Sequence, residues 1–468
     1  MTRSPLSCCR QNRQRLMLRP SFRQSFSLWR RQGQCLALVL SLGLCLVPHL
    51  ALGADQSQII NIADSEALRT ALASAPNGTE IRLLPGRYIG RFEVEQPLTL
   101  RGEPGAVIDA QGAGSALVVS ASGVTLTRLT IRNWGRDLYE KDAAIRLLPG
   151  ANEVTIVANE LSGPGFGIYA SEVSDLKLKD NQIEGEAEAF LLDRGDGIHL
   201  LKVNYPHVSG NRIKTVRDGI YLESGVGSRV YGNHLSELQY GLHYMYTKQD
   251  EAMDNLACRV SGGYALMNSE GIRLVFNRVR EAKEFGVLLN LTHDAEIQAN
   301  QIEATQMPNS VAGDLFSEGK GLFVYGAKRN QISGNYIAGN QIGIAMALGG
   351  EDNLVYQNQF LANATQVRYV GETRVEWSLQ GRGNYWSDYR GWDLDGDGIG
   401  DGQHLPNDSL DRLFWLYPEA KFLMESPLVK LLKWLDNQLQ GEHSVGVVDS
   451  HPVMTPPPHL GPAAWEAL

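Results

Sequence analysis

The sequence predicts an all-β protein, a solenoid of stacked parallel β-coils, and two independent residue series predict it. Asparagine recurs at Asn159, Asn181, Asn211, Asn233, Asn255, Asn277, Asn300, Asn335 and Asn358, mostly in steps of 22 or 23 residues with longer steps of 30 and 35. Glycine keeps the same beat at Gly167, Gly197, Gly219, Gly241, Gly263, Gly286, Gly321 and Gly343, lengthening at the same two places. Each glycine opens a short apolar alternation: GIYA, GIHL, GIYL, GLHY, GYAL, GVLL, GLFV and GIAM. A helical solenoid needs a longer repeat, and the leucine ladder of leucine-rich repeats is absent. One repeat of 22–23 residues, cut by Asn and Gly into short strands, fits one coil of a parallel β-helix. Successive coils then lie about 4.8 Å apart.

Residues 1–54 are read as a secretory signal that is cleaved. Eight arginines and no acid precede the apolar run CLALVLSLGLCLVPHLALG, which ends in small residues. A retained membrane anchor is the competing reading, but Pro48 breaks the run and no second run of spanning length follows. Loss of the eight arginines takes the formal charge from −9 to −17, which excludes a nucleic-acid backbone as partner. Cys258 then stands at an apolar position, where packing is expected rather than reactivity.

Residues 55–370 are assigned to the β-helix. SEALRTALASA, from Ser65, has a capping residue and apolar spacing suited to a short helix that plugs the open N-terminal end of the stack. Strands follow around IRLLPGRYIG, PLTLRGE, ALVVSA and LTIRNWG. The asparagine column is read as a structural ladder, with amide bonded to amide from rung to rung.

Aligning the glycines sends Ile198, Ile220, Leu242, Tyr264 and Val287 inward, with Leu200, Leu222, Tyr244, Leu266 and Leu289 two residues on. The outward columns follow from the strand period of two. One contains Tyr169, His199, Tyr221, His243, Ala265, Leu288 and Phe323; its neighbour contains Glu223, Met245, Met267, Asn290 and Tyr325. A face this rich in rings should be covered by the chain's own tail or by a partner, so Tyr169, His199, Tyr221, Phe323 and Tyr325 are candidate docking residues. His243, Met245 and Met267 fall together on it, and an imidazole with two thioethers is a soft donor set suited to copper(I). Ordinary cross-strand packing explains the same three residues. His199 is two rungs from His243, about 9.6 Å, too far for the same ion.

Residues 371–408 are read as a capping segment around GNYWSDYRGWDLDGDGIGDG. Asp393, Asp395 and Asp397 stand at the first, third and fifth positions of an EF-hand-like loop, with the Ile399 carbonyl at the seventh and Asp401 at the ninth. His404 replaces the final glutamate, so the loop is either a structural calcium site or a metal-free acidic turn. Residues 409–468 form a helical and proline-rich tail. After Ser426-Pro427, a stripe of Leu428, Leu431, Leu432 and Leu435 with Trp434 beside it either packs on the solenoid or reaches a membrane protein. SHPVMTPPPHLGP reads as extended and flexible, with His451 and Met454 as conceivable aids to metal transfer.

DGIHL, RDGIYLES, YGLHYMY, ALMNSEGI, GNYWSDYRGWDLDGDGIGD and DSHPVM, in that order, resemble the periplasmic NosD family of nitrous-oxide reductase maturation proteins. The resemblance implies a right-handed parallel β-helix of the pectate-lyase-like type. It implies work with an ABC-type ATPase and its membrane permease, and with a copper chaperone, on the copper centres of nitrous-oxide reductase. Two functions are therefore weighed. The first is a non-catalytic maturation factor that docks its client and a copper donor. The alternative is a polysaccharide lyase or uronate epimerase, the commonest work of this fold. Against the enzyme stands the make-up of the two outward columns, with one carboxylate, Glu223, and no arginine.

Overall fold

The computed structural model describes residues 58–308, 316–350, 352–407, 410–417, 426–438 and 445–457. The leader, residues 1–54, lies outside them. Three parallel sheets of 13, 12 and 13 strands run along the body. Each coil gives one strand to each sheet, as Arg229–Tyr231, His234–Ser236 and Tyr240–Met245 do to what we call the first, second and third sheets. Every one of these strands pairs with its counterpart one coil away, so the chain winds as a right-handed parallel β-helix. Third-sheet strands run to six residues against three or four in most strands of the other two, giving this side the broadest face.

The predicted inward columns line a single continuous core. Ile198, Ile220, Leu242, Tyr264 and Val287 belong to it, all without solvent exposure. Tyr264 is the polar exception, and its hydroxyl donates to the carbonyls of Asn255 and Arg278 at 2.8 and 3.0 Å. Cys258 is fully buried, as its apolar position suggests.

The asparagines form the ladder. In each rung the side-chain oxygen accepts from the backbone and side-chain amides of the asparagine one coil back. The side-chain NH2 donates onward, as when Asn255 Nδ2 donates to Asn277 Oδ1 at 2.9 Å. The residue before each rung explains the need. Asp180, Asp254, Phe276 and Gln357 all have φ near +55°, the left-handed geometry that turns the chain sharply from first sheet to second. Where that corner residue is Gly210, Gly232 or Gly334 it comes without strain. Elsewhere the buried amide ladder offsets it.

Helix α1 (Ser65–Ser74) forms as expected and buries Leu68, Ala71 and Leu72 in the same core. Its cap is Asp64, whose Oδ1 accepts from the Glu66 and Ala67 amides at 3.0 and 2.9 Å. At the other end the second sheet continues to Tyr385–Trp386, beyond residue 370. The tail, read as flexible, folds back. Gly446–Val448 pairs in parallel with Arg374–Glu376, and the fully buried Asp449 serves as the ladder's last rung. Its Oδ2 accepts from Asn384 N at 2.7 Å and Trp386 Nε1 at 2.8 Å, under a stack of Phe360, Trp377 and Trp386. Helix α2 (Asp411–Leu416) packs on the last third-sheet strand, where Arg368 pairs with Glu318 and Asp411. Helix α3 (Pro427–Gln438) buries Val429 and exposes Leu428, Leu431 and Trp434. The side chains of Leu432 and Leu435 lie outside the described residues.

Candidate functional site

The site sits on the outer face of the third sheet. In register, Tyr169, His199, Tyr221, His243 and Ala265 make one column, and Glu223, Met245 and Met267 make the next. Leu242 and Tyr244 alternate with them into the core, so His243 and Met245 do point outward.

Outward does not mean open. His243 is only 8% exposed, with ring centroids of Tyr221 and Tyr240 at 4.6 and 5.3 Å. Tyr169 and His199 stack at 4.9 Å, with Phe166 close to both. Tyr169, His199 and Phe323 are thus buried by their own neighbours, and only Tyr221 and Tyr325 among the expected docking residues are part-exposed. The period of two gives the side a residue faces, but rings stacked every 4.8 Å or so shield one another. Farther along, Ala265, Phe285, Leu288, Phe323, Ile342 and Ala345 form a second apolar cluster on this outer face, with Met267 and Tyr325 packed against it.

The structure adds a third group of side chains from the strand starts, Asp196 and Arg217 just ahead of theirs and Asp218 the first residue of the strand Asp218–Glu223. Asp218 Oδ2 lies 3.0 Å from His243 Nδ1, and Asp196 Oδ2 lies 2.7 Å from His199 Nδ1. Arg217 grips Asp196 with Nε on Oδ1 and Nη2 on Oδ2, both at 2.9 Å. Burial alone would raise Asp196, but the His199 hydrogen bond and the Arg217 charge hold it below the ordinary carboxylate range. Asp218 has the imidazole but no such fork, and burial, with Asp196 nearby, pushes it up. The two outward columns themselves hold one carboxylate and no arginine, as read, but Asp196, Arg217 and Asp218 lie against them and add two acids and a guanidinium. Their signal in the sequence was the Asp-Gly pair repeated at Asp196 and Asp218.

A nitrogen donor is available here. His243 Nε2 is buried and has no hydrogen-bond partner, while Met245 and Met267 stand directly across from each other on adjacent rungs. A buried imidazole nitrogen with no hydrogen-bond partner, on the same strand and face as Met245 and one rung from Met267, fits a soft monovalent ion, and the residues present pass that test. His199 is separated from His243 by the ring of Tyr221.

The acidic loop is a separate feature. Carboxylate oxygens of Asp393, Asp395 and Asp397 lie within 4.8 Å of one another. Asp393 accepts from the amides of Gly396 and Gly398. Asp401 accepts from Leu394 N at 2.7 Å and so closes the loop instead of joining the triad. Ile399 bridges Val453, and Met454 N donates to Gly398 O at 3.0 Å, tying loop to tail. At the N-terminal end of the third sheet, a cavity of about 800 Å³ is lined by Arg69, Arg91, Arg146, Glu93 and Asp142. Among the described residues no helix is long and apolar enough to cross a membrane.

Known proteins resemble this chain. Residues 179–391 match the family model described as "Periplasmic copper-binding protein (NosD)". A Stutzerimonas stutzeri protein named "Probable ABC transporter binding protein NosD" is 40% identical over 391 residues, covering 83% of this chain and 90% of that one. A Pseudomonas aeruginosa protein of the same name is 41% identical over 401 residues, 83% of this chain and 93% of that one. Among solved structures, the Yersinia enterocolitica family 28 exopolygalacturonase is similar with a TM-score of 0.49 and 12% identity, covering 69% of this chain and 77% of that one. With two relatives matched over nine-tenths of their length at about 40% identity, the chain belongs to the NosD family of periplasmic copper-binding proteins.

Proposed function

We propose that this chain is a non-catalytic periplasmic factor that accepts copper(I) at His243, Met245 and Met267 and hands it on during assembly of the copper centres of nitrous-oxide reductase. The observation that carries this reading is the buried, unpartnered Nε2 of His243 next to two thioethers in register. All three donors are neutral, so the ion keeps its charge and can be passed on more readily than from a thiolate cage. The leader, residues 1–54, exports the chain, and a copper chaperone is the donor. The ABC ATPase and permease hold the chain at the membrane, with α3 as the contact, where Leu428, Leu431 and Trp434 are exposed; the sequence periodicity adds Leu432 and Leu435 as candidates. Calcium held by Asp393, Asp395 and Asp397, with the Ile399 carbonyl, would be structural, and Asp401 would support the loop rather than ligate. The test is copper loading of nitrous-oxide reductase in cells carrying Met245→Leu and Met267→Leu together. Loss of loading with normal protein level is expected, and unchanged loading sinks the copper role.

One observation favours a second reading. Asp196, His199 and Arg217 form a buried acid–base cluster with a guanidinium at hand, and the cavity beyond it carries further arginines. That is the equipment a uronate lyase or epimerase uses to neutralise a sugar carboxylate and move a proton. Incubation with uronate polymers decides it: new unsaturated ends or altered epimer ratios would establish the enzyme.

A further inference from the structure

The alternating strand pattern assigns Asp218 no role, yet it is the residue on which the chemistry of His243 depends. It is the first residue of the strand Asp218–Glu223, in register with Tyr240 one coil on, and is almost wholly buried. Both its oxygens are engaged. Oδ1 accepts from the Tyr240 backbone amide at 3.2 Å, and Oδ2 faces His243 Nδ1 at 3.0 Å.

A neutral imidazole carries one N–H and one lone pair, and the partner of one nitrogen decides which is which. A carboxylate at Nδ1 accepts its proton and leaves the lone pair on Nε2. Nε2 is the atom that the structure leaves buried and unclaimed. The rings of Tyr221 and Tyr240 on either side fix the plane of the imidazole, so Asp218 sets both tautomer and aim.

We infer that Asp218 is the positioning residue of the copper site: it binds no metal itself but holds His243 as the Nδ1–H tautomer with Nε2 ready to ligate. This rests on the copper reading above and adds a residue to it. The neighbouring dyad supplies the contrast. Asp196 also meets an imidazole Nδ1, that of His199 within its own coil, but Arg217 occupies both Asp196 oxygens, and the outward residues beside His199 are Leu201 and Ser171, neither of them a soft ligand. On the copper reading that dyad is a structural pair.

Asp218→Asn separates the roles. The Tyr240 amide keeps the side-chain oxygen, so the new NH2 faces Nδ1 and drives the proton to Nε2. Copper(I) affinity, measured by competition with a chromophoric chelator, is expected to fall about 10–100-fold. X-ray absorption of the loaded variant should keep sulfur and lose nitrogen. Asp196→Asn should bind as wild type. Wild-type affinity in Asp218→Asn, alongside weakened binding in Met245→Leu and Met267→Leu, overturns the inference and spares the copper site. Wild-type affinity in His243→Gln and both Met variants overturns the copper reading itself. Should Asp218→Asn fail to fold, ¹⁵N shifts of His243 in the metal-free wild-type protein still decide: an Nδ1–H tautomer is expected, and Nε2–H refutes the assignment.

Discussion

Removing one rung of the asparagine ladder by Asn255→Ala tests why the coils stay in phase. Asn255 Oδ1 accepts from Asn233 N and Asn233 Nδ2, both at 2.9 Å, and its Nδ2 donates to Val230 O and Asn277 Oδ1, again at 2.9 Å. Alanine deletes all four bonds. Asn277 Oδ1 keeps the Asn255 backbone amide and Asn233 Nδ2 keeps Val208 O, both at 3.0 Å, but the second N–H of Asn233 Nδ2 and the Asn233 backbone amide are left buried and unpaired. Each orphaned donor costs about 1–3 kcal/mol. Asp254, at φ +54°, also loses the contact that offsets its left-handed corner. We therefore expect a loss of about 3–5 kcal/mol. Urea unfolding followed by circular dichroism gives the total. Hydrogen exchange at the amides of Asn233 and Asn255 tells whether the loss is local, since solenoid stability is shared between neighbouring coils. A loss below about 1 kcal/mol with unchanged exchange at Asn233 would refute the ladder as the device that holds register.

Other outcomes follow from the same geometry. Burial raises Asp250 to about 6, with one oxygen accepting from Ser228 N at 2.6 Å and the other unpartnered. Its folded value lies above the ordinary 3.8, so its contribution is full below that value and is lost as pH rises through 6. Asp250→Asn should flatten the stability profile between about pH 4 and 7 and gain up to about 3 kcal/mol above that window; a parallel profile in both proteins contradicts this. Paired Leu431→Ala and Trp434→Ala should leave the unfolding midpoint within experimental error, because both side chains are exposed, while abolishing co-purification with the permease. Retained co-purification removes α3 from the contact.

The winding of the chain was readable because a coil must return to the same place every 22 or 23 residues, with Asn marking one corner and Gly the second position of most third-sheet strands. The strand period of two then gave the side faced by His243, Met245 and Met267. Depth was not readable, since alternation separates in from out but does not say that Tyr169, His199 and Phe323 bury one another. Asp196, Arg217 and Asp218 were missed for a related reason: they lie just ahead of a third-sheet strand or at its first position, where alternation no longer fixes direction. Asp449 was harder still. It enters the ladder 65 residues after Asn384, a step no repeat announces, and an aspartate replaces the asparagine that marks every earlier rung.

X-ray absorption at the copper edge, on the exported protein loaded with one equivalent of copper(I), meets the central claim most directly. A mixed nitrogen and sulfur shell should be seen, with the sulfur scattering lost when Met245 and Met267 are both leucine. Sulfur scattering that survives that double substitution would place the metal elsewhere and contradict the account.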